Sequence, residues 1–194
     1  MNPDRRDRLR DAAIEVLAQA GGRGLTHRAV DTEAAVPLGT AKNYFPTRDA
    51  LLRAVAGRCL ERYRDQASAM AGPGPAGRAG LAALLAALLR DVAGPGRPRV
   101  LAYLELQTEA TRRPWLAELL DTIAAADFAA HAALLAAAGL PSDPARTRAL
   151  TLALHGALPH LLTGAPHTLE AAGLDDLDRF TRDLLDTICP PEHL

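Results

Sequence analysis

Between Leu25 and Leu52 the chain carries two helical stretches, each too short to stand alone, on either side of a tight turn. Thr26 is placed to cap the first, Val30 and Ala34 mark its inner side, and Pro46 ends the second. Helices shorter than about 12 residues are marginal in water, so neighbours must hold both. That need limits the possible folds more than any other feature. A preceding and a following helix have to close a small core, with Val36, Ala41 and Phe45 at its centre and Leu51 and Leu52 completing it.

The flanking chain supplies those helices. Asn2-Pro3-Asp4 opens the first, with Asn as cap and Pro at the first helical position. Leu9, Ala13, Val16, Leu17 and Ala20 recur at helical spacing, and Gly21-Gly22 stops the run. Arg5, Arg6 and Arg8 near its start fit a solvated face paired with Asp4, Asp7 and Asp11, or a contact from Arg5 or Arg6 to a phosphate. Thr47 caps a long fourth helix reaching about Met70, with Leu51, Val55, Cys59, Tyr63 and Met70 on one face. Cys59 reads as a buried small hydrophobe.

Beyond it, Ala71–Gly77 is a Gly/Pro linker, and helices are expected over 78–93, 99–112, 114–138, 144–163 and 174–188. Pro159 is expected to kink the fourth of these or loosen its end, and 164–173 to be a connection. The total is nine helices, four in an N-terminal unit and five beyond. Ala and Leu dominate, aromatics make up 4%, and runs of β-branched residues are missing, so the fold class is all-α. The expected domains are 1–52, with a connecting helix over 47–70, and 53–194.

Two short helices at a steep angle across a turn make a helix-turn-helix, whose second helix enters the major groove of DNA. Here that helix offers Thr40, Lys42, Asn43 and Tyr44 on its outer side. Asn pairs with adenine in a bidentate way, while Lys and Tyr reach phosphates. Gly39 lets the backbone come close, Arg28 projects from the preceding helix, and Thr26 and Arg48 stand at helix starts, where backbone N–H groups favour phosphate. Charge agrees: residues 1–70 hold 12 Lys/Arg against 9 Asp/Glu, and residues 71–194 hold 10 against 14.

The run Val36-Pro37-Leu38-Gly39-Thr40-Ala41-Lys42-Asn43-Tyr44-Phe45-Pro46-Thr47-Arg48-Asp49-Ala50-Leu51 resembles the DNA-binding signature of the tetracycline-repressor (TetR) family, roughly G-V-S-x-G-T-L-Y-x-H/Y-F-x-S/T-K-x-x-L. The match covers residues 5–52 in order; the rest resembles the family only in length and helical layout. Three positions depart from it. Ala35 stands for a Gly in the turn, Pro37 for a Ser cap, and Lys42, the chain's single lysine, for a Tyr. If Ala35 is left-handed, the cost is about 1–2 kcal/mol. The resemblance implies a bacterial, cytoplasmic, dimeric repressor of a (pseudo)palindromic double-stranded DNA operator, with Thr26, His27, Arg28, Leu38, Gly39, Thr40, Lys42, Asn43, Tyr44 and Arg48 as the DNA-facing set.

For the second domain the resemblance implies a small-molecule effector pocket and a two-fold interface. Candidate pocket residues are Tyr103, Gln107, Trp115, Phe128 and His131, each of which equally fits ordinary packing or exposure. Leu150, Ala153, Leu154, Gly156, Ala157, Leu177, Leu184 and Ile188 are the candidate homodimer residues, with Gly156 and its alanines permitting close helix approach.

Other classes find less support. Cys59 and Cys189 lack metal or disulfide spacing, and His155 and His160 are five apart, so neither metal nor cofactor is expected. Ser68 and Ser142 sit in no nucleophile pattern, and the chain is read as non-enzymatic. No membrane segment or signal peptide is expected. The alternative is a helical binding or scaffold protein whose helix-turn-helix no longer reads DNA, a reading motivated by Ala35, Pro37 and Lys42.

Overall fold

The computed structural model describes residues 3–69 and 74–191, with side chains given except at 66–69. Asn2, Met70 and residues 71–73 of the expected linker lie outside this range. Ten helices are present among the described residues: α1 Pro3–Gly24, α2 His27–Glu33, α3 Thr40–Tyr44, α4 Arg48–Ala69, α5 Gly77–Ala93, α6 Arg97–Ala110, α7 Pro114–Ala137, α8 Pro144–Thr163, α9 Pro166–Ala172 and α10 Leu177–Ile188. One more helix forms than the nine expected. α9 folds within the anticipated 164–173 connection, opened by Pro166 and closed by left-handed Gly173 (φ 68°). α10 starts at Leu177 because the Asp176 side chain caps it, accepting from the Arg179 N–H at 3.0 Å. α8 continues through Pro159 to Thr163.

Packing divides the chain into two compact units, Met1–Gln66 with Pro98–Ile123, and Ala67–Arg97 with Ala124–Leu194. This grouping differs from a division at residue 52, since most of α6 and the first part of α7 pack with the N-terminal helices. The core of unit 1 joins Leu9, Leu17, Val30, Phe45 and Leu52 to Leu106 and Leu116. Gly21 ends the regular part of α1 at φ 64°, ψ −176°, as Gly21-Gly22 predicts.

In unit 2, α5 packs on α8 and α10 around Leu81, Leu85, Leu150 and Leu185, all 0% exposed. The end of α10 leaves carbonyls without intrahelical donors. Arg78 donates to the Leu185 and Cys189 carbonyls, and Arg146 to that of Ile188. Cationic groups at a helix C-terminus also suit its dipole.

Among the described residues one helix, α7, is long and apolar enough to cross a membrane, with 24 residues and a mean hydropathy of 1.4 over its most apolar window, or two spans if the bent pair α5 and α6 is counted as one. The sequence reading anticipated no such segment. α7 nevertheless contributes Leu116, Leu120 and Ile123 to the core of unit 1 and buries Leu135 in unit 2. Its Asp127 is paired with His155.

Candidate nucleic-acid interface

α3 has only five residues, so its position depends on what holds its ends. Ahead of it, Ala35 takes φ 49°, the left-handed region that disfavours every residue with a Cβ. The cost anticipated for Ala35 is therefore incurred. Gly39 is the N-cap at φ 89°, and a Cβ built there would meet nothing within 4 Å. The glycine serves backbone conformation, not a close contact within the chain. Pro37 precedes the helix instead of occupying its first position, and its carbonyl accepts from the Thr40 N–H (3.1 Å) and hydroxyl (2.5 Å).

With Ser absent, the cap comes from elsewhere. Asp31, on the inner face of α2 and 1% exposed, accepts from the Gly39 N–H at 2.7 Å through Oδ2 and from the Ala41 N–H at 2.6 Å through Oδ1. One carboxylate thus pins the start of α3 to α2 with two charge-assisted bonds at the positive end of the helix. Sequence reasoning missed this residue. Its signal was an acid beside Val30 and three residues before Ala34, on the face expected to be apolar.

At the other end, His27 Nε2 donates to the Phe45 carbonyl at 2.5 Å. Arg48 donates to the Leu25 carbonyl at 2.9 Å and the Gly22 carbonyl at 2.5 Å, and lies 3.7 Å from Glu109. His27 and Arg48, expected to face DNA, are used in the free chain to close unit 1. Their long side chains find carbonyls left over where α1 and α3 stop. The Thr40 hydroxyl proton is likewise committed to Pro37. Tyr44 is half-buried against the core, its ring 6.3 Å from that of Phe45.

What remains outward is a compact set. Leu38 is 66% exposed, and Thr26, Arg28, Gly39, Lys42 and Asn43 are exposed, as is Arg48 beside its carbonyl bonds. Thr26 caps α2 by accepting from the Ala29 N–H at 3.1 Å. Arg6 lies 6.0 Å over the Phe45 ring, adding a cation beside α3. An open cleft of about 420 Å³ between α1 and α2 includes Thr26 and Arg28 in its lining. The arrangement presents an amide and a cation on α3, a hydrophobic tip at Leu38 in the turn before it, and the cations Arg28 and Arg6 on α2 and α1.

Replacing Ala35 by Gly is expected to raise the unfolding free energy by about 1 kcal/mol. Relief of left-handed strain exceeds the extra unfolded-chain entropy of glycine. A denaturant titration with an unchanged slope checks this, and an Ala35→Gly variant no more stable than the parent would contradict it.

α1 and α4 are joined by charge. Arg58 grips Asp11 with two bonds, 2.8 and 2.9 Å, and Arg62 adds a third at 3.0 Å. Glu61 accepts from Arg10 at 2.7 Å and Arg58 at 3.1 Å. Asp11 therefore pairs across to α4 through Arg58 and Arg62, while Asp7 pairs within α1 with Arg10 at 3.0 Å and lies 3.7 Å from Arg58. Burial pushes the Asp11 carboxyl up, but bonds from Arg58 and Arg62 outweigh it, leaving the pKa below the ordinary 3.8. The Arg10 bond holds Glu61 below the ordinary 4.5 against a smaller opposing effect of burial. Glu15 has the opposite sign, raised by burial and then by Glu33 and Asp11.

Asp11 and Glu61 bind protons more weakly when folded, so their stabilisation is full above about pH 5 and is lost as pH falls through their folded values. Glu15 offsets part of it. The melting temperature is expected to be level near neutrality and to drop below about pH 4.5, less so in Arg58→Gln. An acid limb identical in that variant would exclude this network as its source.

Cys59 is buried, and desolvation pushes its thiol up to about 12, in keeping with a packing role. The candidate effector residues fall in different units. Tyr103 and Trp115 are half-buried against the core of unit 1, Gln107 is exposed, and Arg53 stacks 3.8 Å from the Trp115 ring. Phe128 and His131 are half-buried in unit 2. Of the candidate dimer residues, Leu150, Leu154 and Ala157 face inward at 7% exposure or less. They fill the unit's own core and offer no surface. Ala153, Leu177, Leu184 and Ile188 are half-buried, and Gly156 is exposed with open space around it. Leu152, one turn before Gly156, is 61% exposed and was not singled out from sequence.

Residues 76–188 match the model of the tetracyclin repressor-like C-terminal domain. The crystal structure of the multidrug binding protein EbrR complexed with ethidium is 35% identical, covers 97% of this chain and 99% of its own, and superposes with a TM-score of 0.66. A TetR-family member from Streptomyces coelicolor A3 is 34% identical over 97% of this chain and 100% of its own, with a TM-score of 0.68. A transcriptional regulator from Rhodococcus sp. Rha1, 20% identical with a TM-score of 0.76 over 94% of this chain and 95% of its own, shares the fold. A curated relative from Xanthobacter autotrophicus, an uncharacterized HTH-type transcriptional regulator in the dhlA 5′ region, is 40% identical over 90 residues. That match spans 46% of this chain and 44% of the relative's own length.

Proposed function

The chain belongs to the TetR family of helix-turn-helix transcriptional regulators, and we propose that it works as a homodimeric repressor released from its operator by a small molecule held in the C-terminal helical domain. The observation that carries the reading is the capped recognition helix. α3 has its start fixed by Asp31 and leaves Lys42 and Asn43 exposed. That fixed start holds the two side chains in a set geometry, which reading DNA requires. In this reading residues 1–52 meet DNA and 53–194 bind the effector and a second copy, in the cytoplasm.

Dimerisation is supported by the outer face of α8. An exposed glycine inside a helix costs about 1 kcal/mol relative to alanine. Nothing within the chain crowds Gly156, and Leu152 beside it is bare. A second α8 crossing at Gly156 would use both features. Two copies would then place two α3 helices for successive major grooves, about 34 Å apart, on a two-fold symmetric site.

The effector class is suggested by one relative, the multidrug binding protein EbrR, which has been crystallised with ethidium and with proflavin. Release requires the effector to favour a state that fits DNA poorly, with a coupling of about 1–3 kcal/mol. Selection of bound duplexes from a random pool tests the DNA reading. The expected product is a two-fold symmetric sequence whose half-sites are one turn or a multiple apart. Recovery of no consensus, together with no salt-dependent binding, would favour the scaffold alternative.

A further inference from the structure

Two hydrogen bonds join the second part of α7 to α8 inside unit 2, and both run through histidines. His131 Nδ1 lies 2.9 Å from Thr151 Oγ1, and His155 Nε2 lies 3.1 Å from Asp127 Oδ2. The proton positions follow from the neighbours. Thr151 donates its one hydroxyl proton to the Thr147 carbonyl at 2.9 Å. Toward His131 it is therefore an acceptor, and the His131 proton resides on Nδ1. Burial holds this imidazole below its ordinary 6.5; Asp127 opposes that and His155 adds to it. The ring is neutral near pH 7, and its Nε2 presents a lone pair.

One turn before His131, the Asp127 carboxylate offers about four lone-pair sites, and His155 occupies one. Its side chain is 15% exposed. Pro159 has no N–H, so the His155 carbonyl four residues earlier lacks its helical donor. The facing turns of α7 and α8 thus carry a carboxylate and, one turn on and within its electrostatic reach, a neutral imidazole. The facing segments themselves, residues 124–137 and 149–163, contain no Lys or Arg. A largely buried carboxylate answered, within these facing segments, by the single histidine His155 keeps acceptor capacity in an Ala/Leu environment that a donor from outside would satisfy.

We propose that Asp127, with His131 Nε2 beside it, is the polar subsite for the effector and selects a cation bearing N–H groups. The inference rests on the ligand-responsive reading given above. An anion would meet the Asp127 charge and a set of acceptors. An uncharged hydrocarbon would gain apolar contact and leave the carboxylate as it was. A cation with N–H donors answers both the charge and the lone pairs, which makes the discrimination a matter of repulsion as well as attraction.

The test uses the full-length protein and two planar dyes, the amino-substituted cation proflavin and the uncharged Nile red, followed by fluorescence titration. Asp127→Asn keeps the shape and removes the charge. It is expected to weaken proflavin at least tenfold and to change Nile red less than twofold, and Asp127→Glu to recover most of the loss. A thermal melt and far-UV circular dichroism establish that each variant is folded. His131→Phe, which leaves Asp127 in place, is expected to weaken proflavin at least threefold. Proflavin binding by Asp127→Asn within twofold of the parent, or a parent that binds Nile red and not proflavin, overturns the subsite while leaving a ligand-responsive regulator intact. A parent that binds neither dye, and is released from DNA by neither, removes the ligand reading and the subsite together.

Discussion

Asp31→Ala is expected to destabilise unit 1 by about 2–4 kcal/mol and to weaken operator binding by roughly 10–100-fold. The carboxylate satisfies two backbone donors, Gly39 N–H and Ala41 N–H, the latter within the core. Removing it leaves both without a partner in a site that is 1% exposed. Five residues of α3 hold no helical stability of their own, so loss of the pin loosens the element that meets DNA. Asp31→Asn separates geometry from charge. The amide keeps one acceptor oxygen and sets an NH₂ against the second N–H, so an intermediate loss is expected. Differential scanning calorimetry and a salt-matched binding titration read the two effects. Wild-type melting and wild-type affinity in Asp31→Ala would show that Pro37 and the Gly39 turn hold α3 without help.

The same residue marks the limit of what the sequence makes legible. Gly21-Gly22, Thr26, Pro46 and Thr47 are local signals, acting within a turn of where they stand, and they place α1, α2 and α4 closely. The small core of Val30, Ala41, Phe45 and Leu52 follows from helical spacing. Asp31 is different, because a buried acid is justified only by donors eight and ten residues away that come together after the turn forms. The internal bonds of His27 and Arg48 were hidden for a related reason. Long polar side chains at helix ends can reach outward to phosphate or inward to a stranded carbonyl. Here Gly22, Leu25 and Phe45 supply the carbonyls. In unit 2, Leu150 and Leu154 look like surface on a helix expected to pair with a copy. Periodicity finds an apolar face but does not say which neighbour covers it. The grouping of α6 with the N-terminal helices was likewise hidden, since its apolar residues lie on two sides and either suits a core.

Asn43→Ala and Lys42→Ala are expected to weaken DNA binding in different ways, and the difference decides whether α3 reads sequence. Both side chains are exposed on one helix, but their chemistry differs. An amide that bonds adenine in a bidentate way contributes about 1–3 kcal/mol of discrimination at one base pair, so Asn43→Ala should lose 5–150-fold per half-site on the selected sequence. On random duplex it should lose almost nothing. The Lys42 ammonium meets phosphate, which every sequence carries. Lys42→Ala should weaken selected and random DNA alike and reduce the slope of log affinity against log salt by about 0.9 for each protomer. Titrations at four salt concentrations on both duplexes resolve the two patterns. Equal losses on both duplexes for Asn43→Ala would reassign it to the phosphates. Base preference would then rest on Arg28, Leu38 and the shape of the groove, the remaining exposed groups on this face with reach enough to read it.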